Sequence, residues 1–186
     1  HPTTKIRHGV DRDMDGIYDF TDGDSELALT LFLEGAVSGT VMRSDLRTAG
    51  LIPSTDPYGM GATADPNLLA RSGTVAPVDW VMVQLRDGTT PTTVVSEMAA
   101  MVLANGKVVM ANGEAPLYFA NAPRAQYRIV AWHRNHLAAM TQVSQQFGTG
   151  ITSTNFGDPA LTMYGTEARH ILGTIAALWH GDVDGN

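Results

Sequence analysis

Apolar residues in this chain recur at every second position more often than at every third or fourth. Leu27, Leu29, Leu31 and Leu33 alternate with Ala28, Thr30, Phe32 and Glu34 ahead of Gly35. Val81, Val83 and Leu85 alternate with Trp80, Met82, Gln84 and Arg86, and Tyr127, Ile129, Ala131 and His133 alternate with Arg128, Val130, Trp132 and Arg134. A period of two sends successive side chains to opposite faces of a strand, so each stretch predicts a strand with one face in a core. The residues expected inside are Leu27, Leu29, Leu31, Leu33, Val81, Val83, Leu85 and Ile129. Shorter strands are expected at 108–111, 117–119 and 161–164, divided by Asn105-Gly106, Asn112-Gly113 and Gly157-Asp158-Pro159, whose residues favour tight turns. Residues 94–103 also read as a strand, although their Ala and Met content would suit a helix.

Two stretches break the pattern. Residues 53–76 are rich in Pro, Gly, Asp and Ser and hold no periodic run, which predicts a long loop that covers something or carries function. Ile171, Leu172, Ile175, Leu178 and Trp179 follow helical spacing and predict a single helix. Many short strands separated by turns point to an all-β domain, an antiparallel β-sandwich or jelly-roll-like fold. No βαβ rhythm and no glycine-rich strand-to-helix turn is present, which argues against nucleotide binding.

Composition narrows the function classes. With 186 residues, 44% of them hydrophobic, the chain has material for one core-bearing domain. No apolar run reaches the roughly 18 to 20 residues of a membrane-spanning helix. Net charge is −7, which repels phosphate backbones and makes nucleic acid an improbable partner. The absence of Cys removes disulfides, thiolate metal sites and cysteine nucleophiles. The first residue is His1, with neither a basic start nor an apolar leader after it, which suggests a processed or excised chain and a secreted origin.

The charge is concentrated. Asp11, Asp13, Asp15, Asp19, Asp22, Asp24 and Glu26 face only Arg12 in the same segment, so nearly all of the net charge lies there. In the stretch that starts at Asp11, oxygen-bearing side chains fall at the first, third, fifth and ninth places and Gly16 at the sixth, where a calcium loop turns sharply. The expected ligands are Asp11, Asp13, Asp15 and Asp19, the carbonyl of Ile17, and Asp22 or Asp24. A second, shorter set follows Gly181: Asp182, Asp184 and Asn186 again alternate, but three oxygens fall below the six to eight that calcium takes. Calcium is the one cofactor expected. The chain thus divides into a calcium-loop arm (1–25), a β-sandwich (26–181) and a short calcium-type segment (182–186).

The order of residues in the acidic segment resembles a thrombospondin type 3 or dockerin-like calcium repeat. The words Leu31-Phe32-Leu33-Glu34-Gly35, Val78-Asp79-Trp80-Val81, Leu85-Arg86-Asp87, His133-Arg134-Asn135-His136-Leu137 with Met140-Thr141, and Gly181-Asp182-Val183-Asp184-Gly185 together resemble a β-sandwich domain of large secreted bacterial surface proteins. The resemblance covers about residues 26–186. It implies an extracellular or cell-surface location and a sandwich architecture, and it carries no agreed activity.

Enzymatic signals are thin. No nucleophile motif couples a Ser to His and Asp. His133 and His136, three apart, point to opposite faces if the chain stays extended, so they are not expected to share a metal, and Arg134 is expected to pair with Asp79 or Asp87 across strands, with Asn135 in a turn. Trp80 and Trp132 are candidates for glycan stacking, although buried tryptophans more often serve the core. His1 on a secreted sandwich resembles the copper brace of lytic polysaccharide monooxygenases, a copper-dependent oxidase reading that rests on that residue alone. The leading expectation is a non-enzymatic structural protein: a subunit of a surface filament or adhesive fibre that polymerises with itself, head to tail, through the calcium-stiffened arm. Thr4, Ile6, His8 and Val10 alternate along that arm and would let it add as a strand to a neighbour's sheet edge. A carbohydrate-binding module is the alternative.

Overall fold

A computed structural model of the chain describes residues 24–120 and 122–181. The strands, in order, are β1 (Ser25–Thr30), β2 (Val37–Ser38), β3 (Val41–Met42), β4 (Pro77–Asp87), β5 (Val94–Leu103), β6 (Val108–Val109), β7 (Leu117–Phe119), β8 (Gln126–His133), β9 (His136–Met140), β10 (Gln145–Gln146), β11 (Thr152–Asn155), β12 (His170–Leu172) and β13 (Ile175–Ala177). The fold is an all-β sandwich. Its larger sheet runs β10-β8-β4-β5-β6, with β9 also paired to β8, and its smaller sheet runs β11-β1-β7. Pairs in the larger sheet are antiparallel, but β1 lies parallel to β11, with Leu27 opposite Thr152 and Leu29 opposite Thr154. A parallel neighbour needs a long crossover, and here the whole larger sheet supplies it.

The core follows from the period of two. Leu27, Leu29 and Leu31 from the β1 segment, Val81, Val83 and Leu85 from β4, and Ile129 and Ala131 from β8 face one another between the sheets with almost no solvent contact. All eight residues expected inside are there. The opposite face of the larger sheet is also covered: Trp80, Met101, Leu103 and Val109 form a second apolar cluster with Ala64 and Leu68. Residues 53–76, expected to be a long loop that covers something or carries function, provide that cover. Buried Asp56 pins the loop by accepting bonds from the N–H groups of Tyr58 (2.9 Å), Met60 (3.1 Å) and Ala62 (2.7 Å). Two short helical pieces, Pro66–Ala70 and Gly73–Val75, interrupt it. A sheet buried on both faces explains why Trp80 and Met82 sit at positions that alternation alone would send to solvent.

Three expectations are corrected. The helix predicted near the C-terminus is a β-hairpin, β12 pairing β13 around Gly173, whose φ of +67° suits a turn. The apolar residues there pack as pairs across the hairpin, which a spacing of three and four mimics. Residues 161–164 form only an isolated bridge, Met163 to Thr141, not a strand. Ser25, assigned to the arm, is a fully buried first residue of β1, and its hydroxyl donates to the Ala122 carbonyl at 2.9 Å. No helix among the described residues is long and apolar enough to cross a membrane.

Candidate functional site

The four histidines of the described residues, His133, His136, His170 and His180, gather at one end of the sandwich together with Asp79 and Glu34. Asp79 shares the core-facing side of β4 with Val81 and Val83, and a register shift against β5 lies just before it. His133 shares the core-facing side of β8 with Ile129 and Ala131. Strands β8 and β9 form a hairpin whose turn is Arg134-Asn135, and His133 and His136 are paired across it. That turn corrects the expectation that the two imidazoles diverge. Residues three apart diverge on an extended strand but become cross-strand neighbours around a two-residue turn. Their ring centroids lie 4.6 Å apart in an edge-to-face arrangement, with Nδ1 of each ring 2.9 Å from the other.

Asp79 anchors the cluster. It is only 2% exposed and receives Arg134 Nη2 at 2.9 and 3.1 Å, the Trp80 N–H at 2.8 Å and His133 Nε2 at 3.2 Å. Burial works against its charge, yet the bond from His133, the Trp80 N–H and the Arg134 guanidinium outweigh it and hold the carboxyl below its usual range. The expected Arg134–Asp79 pair is therefore present, and Asn135 does occupy the turn.

These contacts settle where the protons sit. The Asn135 backbone N–H points at Nδ1 of His133, which makes that nitrogen an acceptor and Nε2 the donor to Asp79. Nδ1 receives that N–H at 3.2 Å and also the Nδ1–H of His136. His136 is then left with a bare lone pair on Nε2, which is buried and has no partner. Burial, then the neighbouring His133 and His180, push the pKa of His136 down to about 4, so it is neutral at physiological pH. The arrangement is a hydrogen-bond chain from a fixed carboxylate to an unshared nitrogen.

Glu34 organises the other half. Following β1 and Leu33, it accepts from the ring Nδ1 of both His170 and His180 and from the His180 backbone N–H at 2.9 Å. Burial opposes its ionisation, but the bonds from His180 and His170 prevail and hold it at about 2. His170 in turn stacks on Trp179 at 4.3 Å with the rings 3° from parallel. Residues 178–181 bond to both neighbours: Leu178 is bridged in parallel to Leu33, while Leu137 N–H reaches the Trp179 carbonyl at 2.9 Å and Gly181 N–H reaches that of Asn135 at 3.3 Å.

Comparison of the chain with protein-family models, curated proteins and solved structures gives no significant match. The chemistry must therefore be read from the residues.

Of the expected calcium ligands, Asp11, Asp13, Asp15, Ile17, Asp19 and Asp22 lie outside the described residues, as do Asp182, Asp184 and Asn186, the arm residues Thr4, Ile6, His8 and Val10, and His1. Asp24 is described, and one of its oxygens accepts the Tyr118 hydroxyl. Among the described residues, no group of three or more His, Asp or Glu side chains is placed to hold a metal. Trp80 is withdrawn as a glycan contact: it is fully buried under the covering loop, its indole N–H bonded to the Pro53 carbonyl at 2.8 Å. Trp132 is half-buried, with Tyr58 against it at 5.3 Å. Glu34, His170 and His180 had no sequence signal that joined them.

Proposed function

We propose that the chain is a non-enzymatic structural module of an extracellular bacterial surface assembly, joined head to tail with copies of itself through the acidic, calcium-binding segment that precedes β1. The observation that carries this reading is the path of the chain through the body. It enters β1 at Ser25, reaches Glu34 over at most roughly 30 Å, and goes out at residues 178–181, of which Leu178 is bridged in parallel to Leu33. The two connections therefore leave opposite ends of one extended run with the same polarity. A contact between unlike ends that repeats in this way propagates as a filament when it does not close into a ring.

Both ends are tied to the body. At the start, β1 is paired on each side, by β11 and β7, and Ser25 and Asp24 bond to Ala122 and Tyr118. At the finish, Glu34 holds His180 while Asn135 holds Gly181. Calcium bridging Asp11, Asp13, Asp15 and Asp19 would stiffen the preceding segment, so that Thr4, Ile6, His8 and Val10 reach a neighbour at a defined distance.

The test is electron microscopy and light scattering of the full chain with calcium and with a chelator. Assemblies should form with calcium, and a chain lacking residues 1–23 should remain a folded monomer. Titration calorimetry should show calcium heat that is lost in Asp13→Ala and Asp15→Ala. Monomers in every condition would refute assembly, and unchanged calcium heat in both variants would refute the loop.

A further inference from the structure

We propose that a groove on the outer face of the smaller sheet receives residues 4–10 of a second copy of this chain, laid parallel to β1. This deepens the assembly reading above and rests on it. The groove has a volume of about 270 Å³, and Ala28, Thr30, Lys107, Val108, Pro116 and Ile151 are among its lining residues. That volume lies below the roughly 300 to 1,000 Å³ of pockets for drug-sized molecules, so it suits one or two side chains.

Strand register explains the groove. Glu26, Ala28 and Thr30 share the side of β1 that faces away from the core, because Leu27 and Leu29 between them are buried. Ala28 stands opposite Ser153 of β11, and on the other side Pro116 follows on from the Leu27–Leu117 pair. A methyl group in the middle strand leaves a trough, and Ile151 stands at its rim with 53% of its surface exposed. An apolar side chain that open beside an apolar trough marks a surface for a partner. The two ends of the trough differ in charge: Glu26 and Asp24 lie at one, and exposed Lys107, bridged to Thr30, lies at the other.

The N-terminal segment matches the groove in both respects. Ile6 and Val10 fall on one alternating face, four residues apart like Glu26 and Thr30 on β1. Residues 1–10 hold Lys5 and Arg7 and no acid, whereas residues 11–24 hold six Asp against Arg12 and stay acidic with one calcium ion bound. Laid parallel to β1, the segment sets Lys5 and Arg7 toward Glu26 and its Asp-rich continuation toward Lys107. Laid antiparallel, it sets like charges together at both ends, which costs affinity. That difference names the occupant. A chain that doubled back at Asp24 over its own β1 would run antiparallel, so its own residues 4–10 meet like charges. A head-to-tail stack keeps every β1 pointing the same way and supplies the parallel strand from a neighbour.

The chain has no Cys, so single cysteines report contacts without background. Full-length His8→Cys and full-length Ser153→Cys, mixed in calcium and treated with a short bis-maleimide, should give a cross-linked dimer. Leu51→Cys, exposed outside the groove, should give none with His8→Cys. Ile151→Asp should raise the concentration needed for assembly about tenfold, the scale of losing one apolar anchor, and Lys107→Glu should raise it severalfold, with calcium heat unchanged in both. Ile151, Ser153 and Lys107 are all exposed, so these changes leave the core untouched. Calcium-dependent assemblies without the cross-link between positions 8 and 153, or Ile151→Asp assembling like the parent, would overturn the groove and leave the assembly reading standing. Monomers in every condition would overturn both. A double variant whose cross-link closes within one chain at high dilution would overturn the second copy as occupant.

Discussion

The inter-sheet core and the histidine end of this protein are built by opposite means. In the core, each strand carries its own instruction: Leu27, Leu29, Val81, Val83 and Ile129 are buried because alternate residues of any strand share a face, whatever strand lies opposite. At the histidine end no segment carries the instruction. Glu34 reaches His170 and His180, more than a hundred residues away, and Asp79 reaches His133 only because β4 and β8 pair in one particular register. The core tolerates approximate matching of volume, whereas the polar end depends on individual bonds around two shielded carboxylates, Asp79 and Glu34.

That contrast can be broken by mutation. The largest expected effect is in the core: Leu31→Ala, which removes a fully buried side chain, should lower stability by roughly 2 to 5 kcal/mol in chemical denaturation. A neutral result would mean that the core is not where the strands place it. Next comes Asp79→Asn, which leaves the volume unchanged but weakens the bonds to Arg134 and His133. A loss of about 1 to 3 kcal/mol is expected, discounted because Arg134 is a third exposed. The substitution should also change the tautomer of His133 in the NMR spectrum, which no core variant should do.

Acid should separate the two regions further. His136 is held at about 4 against an ordinary 6.5, so between those values the unfolded chain binds a proton that the folded chain refuses. Its contribution is therefore lost as pH falls from about 6.5 toward 4, with His133, His180, Glu34 and Asp79 around it setting the field. Glu34, held at about 2 against 4.5, contributes fully above 4.5 and loses that contribution as pH falls toward 2. Urea midpoints measured from pH 7.5 to 3 should decline in two stages. His136→Phe should flatten the upper stage and Glu34→Gln the lower, while Leu31→Ala should shift the whole curve without changing its shape.

The smallest effect expected is at the other end of β1. Ser25→Ala removes one buried hydroxyl bond to Ala122 and should cost roughly 0.5 to 1.5 kcal/mol, with no change in the acid profile. An acid profile altered by Ser25→Ala would show that the two ends of β1 are coupled, contrary to the separation drawn above.

What the sequence determined by itself was the class of element and the inward face of each long strand, because a period of two is a local property of the backbone. Charge narrowed the partner of Arg134 to Asp79 or Asp87, and composition marked residues 53–76 as a loop that covers something or carries function; the structure chose Asp79 and the cover. Tertiary structure decided the rest. Only the turn at Arg134-Asn135 brings His133 to His136, only strand register brings Asp79 to them, and only the pairing of Leu178 with Leu33 delivers His180 to Glu34. The hairpin at residues 170–177 differs from the predicted helix for the same reason: Leu172 and Ile175 have a helix-like spacing, but their pairing across Gly173 is settled by a glycine turn and by packing on the core. Periodicity reports which side of an element is apolar; which distant polar groups meet at its end depends on how the sheets close.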